Sequence, residues 1–100
     1  MGTQSGWMYI LRCGDGSYYV GSTAELELRV TQHNAGEGGR YTAARLPVVL
    51  VHADAFPDIY QAYDAERQVK GWSRAKKEAL IAGRYDVLPE LARAKRPGST

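Results

Sequence analysis

Two short apolar runs lie near the start of the chain, Trp7-Met8-Tyr9-Ile10-Leu11 and Tyr18-Tyr19-Val20-Gly21. Both are rich in the aromatic and β-branched residues that suit strands, and Cys13-Gly14-Asp15-Gly16-Ser17 between them carries an Asp-Gly turn signal, so a hairpin is predicted. Thr23 caps a predicted helix over residues 24–34, which the glycines of Gly36-Glu37-Gly38-Gly39 end. Residues 40–46 read as a loop or short irregular helix before Pro47. Val48-Val49-Leu50-Val51-His52-Ala53 reads as a third, mostly buried strand. Asp58 followed by Gln61 is a capping-box pattern for a helix from Ile59 to about Trp72, and Ser73 caps another through Ile81, stopped near Gly83. Leu88 to Arg96 suggest a short terminal helix followed by a frayed end. The order ββαβαα predicts an α+β fold, a small three-stranded sheet with an N-terminal hairpin and flanking helices. One domain is expected over residues 7–83, between a flexible start (1–6) and a C-terminal extension (84–100).

Composition narrows the class. With 44% hydrophobic and 24% charged residues, the chain of 100 residues can bury a core and is not a disordered tail. The apolar stretch Pro47-Val48-Val49-Leu50-Val51 is far too short to span a bilayer, and residues 1–6 lack the basic start and apolar core of a secretory signal. Cys13 is the sole cysteine, which excludes an internal disulfide and a multi-cysteine zinc site. A cytoplasmic protein without membrane association is expected. The net charge of +2 is unevenly spread: residues 1–66 carry four basic and eight acidic side chains, residues 67–100 nine basic and three acidic. A basic segment of this kind suits a phosphate-rich partner, although a solvated helix surface accounts for the same charges.

Several polar residues fall where apolar ones are expected. Glu66 lies within the helical stripe of Ile59, Ala62, Tyr63, Val69 and Trp72, where a carboxylate is costly unless it is paired or binds a cation. Arg67 or Lys70 could supply an ion pair. Arg29 and His33 are four apart on one predicted helix face, beside Leu26 and Val30. The planar fork of Arg29 suits phosphate oxygens, and Glu25 offers it a surface salt bridge instead. His33 can accept a proton or orient water, or simply sit against the helix dipole. Tyr9 and Tyr19 pack as strand residues, and a phenol with a pKa of about 10 becomes a useful base only beside a cation. Tyr41 can either touch a substrate or pack over a site. Lys70, Arg74, Lys76 and Lys77 are candidate contacts to a polynucleotide backbone.

The set Trp7-Met8-Tyr9, Tyr19-Val20-Gly21, Arg29 ten positions after Tyr19, and Glu66 in Ala65-Glu66-Arg67-Gln68-Val69-Lys70 resembles the GIY-YIG endonuclease superfamily, in its small single-domain bacterial (URI-type) branch. His33-Asn34-Ala35-Gly36, Arg40-Tyr41-Thr42 and Trp72-Ser73-Arg74-Ala75-Lys76-Lys77 also look like that branch, so the resemblance runs from about Trp7 to Ile81. It implies a metal-dependent endonuclease. In that reading Tyr19 or His33 takes a proton from water, Tyr9 orients the water, Arg29 stabilises charge on the phosphate, and Glu66 is the carboxylate that holds one divalent cation, Mg²⁺ or Mn²⁺. The implied partner is DNA, single-stranded or structured, with RNA left open and a protein partner compatible. The chain departs from the pattern twice. Trp7 stands in place of the first motif's glycine, and Glu78 stands where many members have asparagine, twelve residues after the glutamate. The second departure keeps open a rival, a non-catalytic nucleic-acid-binding or adaptor module. The hairpin tests the shared site. A two-residue Asp15-Gly16 turn puts Tyr9 and Tyr19 on opposite faces, so an odd-length or bulged turn is predicted.

Overall fold

A computed structural model describes residues 6–84. They form two units, one ending at Lys70 and one beginning at Gly71. The first holds β1 (Gly6–Arg12), β2 (Tyr18–Thr23), α1 (Leu26–Asn34), α2 (Arg40–Ala43), β3 (Val49–Phe56) and α3 (Ile59–Lys70); the second holds α4 (Arg74–Ile81). The strands form one antiparallel sheet in the order β2-β1-β3, flanked by helices, so the fold is α+β as expected.

The hairpin has the odd-length connection that a shared tyrosine face requires. Arg12 pairs with Tyr18, Leu11 with Tyr19 and Tyr9 with Gly21, leaving residues 13–17 as the link. Gly16, at φ 87°, donates its N–H to the Cys13 carbonyl at 2.9 Å, and Cys13 donates to the Ser17 carbonyl at 2.8 Å. This is a tight turn closed by a left-handed glycine. Residues that pair directly share a face, so Tyr9, Leu11, Tyr19 and Gly21 project to one side. There Tyr9, Leu11, Cys13 and Val48 form a core cluster that Leu26 and Val30 of α1 cover. Met8, Ile10, Val20 and Ser22 belong to the opposite face, where Ser22 meets α3 through Glu66.

Several boundaries differ from expectation. Thr23 does not cap α1; its Oγ1 accepts the Glu25 N–H at 3.0 Å, making a short turn that delays the helix to Leu26. The capping-box expectation at Asp58 is met, with Gln61 N–H donating to Oδ1 at 2.8 Å, yet α3 ends at Lys70 rather than near Trp72. Ser73 caps α4, accepting the Lys76 N–H at 3.2 Å. β3 is not mostly buried: it is an edge strand with Val49 and Leu50 exposed, because the sheet order makes β1 the central strand. Tyr63, expected in the core, is 51% exposed, and the buried stripe of α3 is Ala62, Glu66 and Val69. The suggested helix over residues 88–96, residues 1–5 of the flexible start and the frayed end lie outside the described residues.

Leu11 is fully buried in the central strand, so Leu11→Ala should cost about 2–5 kcal/mol, whereas loss of the α3 cap in Asp58→Ala should cost only about 1 kcal/mol. Urea unfolding followed by circular dichroism measures both.

Candidate active site

Tyr9 reaches the site because Gly21 has no side chain. A Cβ on Gly21 would lie 2.5 Å from the Tyr9 hydroxyl, so the phenol crosses β2 through the space the glycine leaves. Its oxygen then lies 2.8 Å from His33 Nε2, and His33 Nδ1 lies 2.8 Å from Thr42 Oγ1. All three side chains are buried. The chain links β1, α1 and α2, and it uses both ring nitrogens of the histidine. If Tyr9 donates to Nε2, Nδ1 carries the ring proton and donates to Thr42. Gly38 makes room for the imidazole from the far side, since a Cβ there would fall 2.2 Å from His33 Nδ1.

Burial lowers the His33 pKa below 6.5 and the nearby positive charge of Arg29 lowers it further, so the ring is neutral near pH 7. Burial also pushes the Tyr9 hydroxyl up to about 12, although the nearby Arg29 guanidinium pulls the other way. Tyr9 therefore stays protonated in the physiological range. Arg29 donates from Nη1 to Gln32 Oε1 at 3.2 Å and from Nη2 to the Gly38 carbonyl at 3.4 Å. Its hydrogen-bond acceptors are neutral, and the surface salt bridge to Glu25 is not formed.

Tyr19 sits against this cluster with partial access to solvent. Its ring centroid is 5.2 Å from that of His33 and 6.4 Å from that of Tyr9. Tyr41 stacks on its other side at 6.0 Å, and the Arg45 guanidinium lies 3.8 Å from the Tyr41 centroid. Arg45 is held in turn by Asp15 of the hairpin turn at 3.1 Å. Tyr41 thus packs on Tyr19 while remaining partly exposed.

Glu66 arrives from the other face of the sheet. Ser22 Oγ donates to its Oε1 at 2.6 Å and Lys70 Nζ to its Oε2 at 2.7 Å. Neighbouring residues on a strand point to opposite faces, so Ser22 and Gly21 place the carboxylate and the tyrosines on opposite sides of β2. The Glu66 charge makes a small contribution to raising the Tyr9 pKa. The ion pair anticipated for Glu66 is present, and its cation is Lys70. Hydrogen bonding to Glu66 raises the Lys70 pKa, with a smaller contribution from Tyr19.

Among the described residues no three His, Cys, Asp or Glu side chains cluster as metal ligands. The donors at the β2 edge are instead a lone carboxylate and a hydroxyl. An oxygen-only set this small fits a hard, largely hydrated cation and does not fit zinc. In the second unit, Lys76 is buried with its Nζ 3.8 Å from the Trp72 ring centroid, so this candidate phosphate contact is occupied with an aromatic ring. Arg74 pairs with Glu78 at 3.1 Å, and Lys77 is partly buried.

Residues 5–79 match the GIY-YIG catalytic domain. The chain belongs to the GIY-YIG family. It is 45% identical to a UPF0213 protein of Halobacterium salinarum over 74% of its length and 96% of that protein's. A UPF0213 protein of Streptococcus pneumoniae is 42% identical over 80% of this chain and 81% of its own. The solution NMR structure of a UPF0213 protein from Bacillus halodurans superposes with a TM-score of 0.52 at 37% identity, covering 94% of this chain and 98% of that one. A solution NMR structure from E. faecalis gives 0.55 at 38% identity, covering 82% and 88%. The GIY-YIG domain is a nuclease-family domain.

Sequence reasoning missed Thr42, Ser22, Gly38 and Arg45. In Arg40-Tyr41-Thr42 the threonine carries no periodic signal, because α2 is only four residues long and buries that side chain alone.

Two expectations follow from the buried chain. Thr42→Val should leave His33 Nδ1 without its partner and cost about 1–3 kcal/mol. His33 has a folded-state pKa below its unfolded value of 6.5, so it contributes stability above pH 6.5 that is lost as pH falls through the folded value. Urea midpoints measured from pH 7.5 down to pH 5 should therefore fall, on the order of the usual titration range of histidine, and His33→Gln should flatten that fall.

Proposed function

We propose that this chain is a metal-dependent endonuclease that hydrolyses phosphodiester bonds in DNA by direct attack of water, selecting strand structure rather than sequence. The observation that carries this reading is the neutral His33 locked onto Tyr9, with Tyr19 and Arg29 beside it and Glu66 across the β2 edge. Burial removes His33 as a direct acceptor from water, because its ring is wholly enclosed and both nitrogens are engaged. It acts as a positioning residue that aims the Tyr9 hydroxyl. Tyr19, with partial solvent access, is the group able to take the water's proton. It would take that proton as the phenolate, which Arg29 or a bound cation would stabilise.

Arg29 can exchange its neutral partners, Gln32 and the Gly38 carbonyl, for two phosphate oxygens and so stabilise charge there. Glu66, with Ser22 beside it, would hold Mg²⁺ or Mn²⁺, and the cation when bound would supply positive charge to the leaving oxygen. No covalent bond to the protein is required.

A second reading has one observation in its favour. Glu66 is already satisfied by Ser22 and Lys70, as a purely structural ion pair would be, which suits a binding or adaptor module on the same fold.

Cleavage of labelled single-stranded, duplex and flap DNA with Mg²⁺, Mn²⁺ or EDTA separates the two. The nuclease reading expects cutting that needs metal and falls by on the order of a hundredfold or more in Glu66→Gln and Arg29→Ala, the scale for removing a group that stabilises transition-state charge. Intact binding without cutting on any substrate, or cutting unchanged in Glu66→Gln, would favour the adaptor.

A further inference from the structure

Glu66 opens onto a face of α3 that neither the buried core nor the tyrosine–histidine cluster uses. Going around the helix from Glu66 toward solvent, the side chains are Lys70, Tyr63, Arg67 and Tyr60, in that order at helical spacing. Tyr60 is 78% exposed and Tyr63 51%, and the Arg67 guanidinium lies 5.9 Å from the Tyr63 ring centroid. Single exposed aromatics are ordinary on protein surfaces. Here two tyrosines one turn apart alternate with two cations, and the row runs into the candidate site through the Lys70–Glu66 contact. Asp64 lies at the far margin of the row, away from Glu66.

We infer that this face of α3 is a nucleotide-binding subsite. It would carry the unpaired strand adjoining the scissile phosphate, with bases stacked on Tyr60 and Tyr63 and backbone phosphates held by Arg67 and Lys70. The inference rests on the nuclease reading for the direction in which the strand leaves the site. The chemistry of the row selects its occupant. Exposed π-faces accept any unstacked base, and interleaved cations follow a phosphate backbone. A duplex keeps its bases stacked inside and offers this row only phosphates, so the aromatic part of the row discriminates for unpaired nucleotides.

The test is binding of the full chain in EDTA, so that no cutting intervenes, to a fluorescein-labelled thymidine oligonucleotide and to an abasic oligonucleotide of the same length, read by fluorescence anisotropy. Tyr60→Ala and Tyr63→Ala should each weaken binding to the thymidine oligomer roughly five- to tenfold or more, the scale of one lost base–aromatic stack. Neither should affect the abasic oligomer. Tyr63→Trp should restore affinity. Arg67→Gln should weaken both oligomers and reduce the salt dependence by about one counterion. Circular dichroism confirms that each variant is folded.

Tyrosine variants that bind the thymidine oligomer as tightly as the parent would overturn the inference, as would equal losses on the abasic strand or a parent that binds neither oligomer. A Tyr60→Ala change that instead converts a dimer to a monomer in sedimentation would also overturn it, by assigning the row to a second copy of the chain. Binding as described with no metal-dependent cleavage would leave the subsite standing and overturn the nuclease reading. Cleavage by a parent whose tyrosine variants bind normally would do the reverse.

Discussion

The hydrogen-bond chain from Tyr9 through His33 to Thr42 holds the arrangement together. It ties the central strand to α1 and α2, and each member is buried, so a broken link would strand a polar group out of reach of water. Two glycines make the chain feasible by leaving space where a Cβ would collide, Gly21 beneath the phenol and Gly38 against the imidazole. No buried side-chain nitrogen or oxygen among the described residues lacks a partner. A fully satisfied network of this kind gives the interior a rigid polar centre, and the Tyr19, Arg29 and Tyr41 side chains are arranged around it.

The site also depends on the edge of the sheet. Tyrosines and carboxylate come from opposite faces of β2, which among the described residues is an edge strand. The same geometry keeps the charges balanced. Arg29 lies on the tyrosine side with neutral hydrogen-bond partners, and Lys70 lies on the Glu66 side with its ammonium on the carboxylate. Arrival of a phosphate would supply anionic oxygens for both cations, and release of Lys70 would uncover a carboxylate oxygen for a cation.

Much of the fold was legible because it rests on local signals. The Asp-Gly turn, the Asp58 and Ser73 caps and the glycines after α1 each act within a few residues, and each functions in the structure as its chemistry suggests. The misplacements have a common cause. Thr23 satisfies a turn instead of a helix, Tyr63 turns outward while Glu66 turns in, and β3 lies half exposed at an edge. In each case a local pattern is compatible with two outcomes, and contacts from distant residues choose between them.

The sequence by itself determined the α+β order, the presence of the N-terminal hairpin, and the identity of Glu66 as a carboxylate out of place in an apolar stripe. Periodicity and turn chemistry are short-range properties, and they suffice for these conclusions. Only the tertiary structure decided that His33 is sealed between Tyr9 and Thr42, that Glu66 meets Ser22 and Lys70, and that Tyr41 stacks on Tyr19 under Arg45. Most of those contacts join residues many positions apart, and hydrogen bonds and ring stacking depend on ångström-scale placement that no spacing in the chain records.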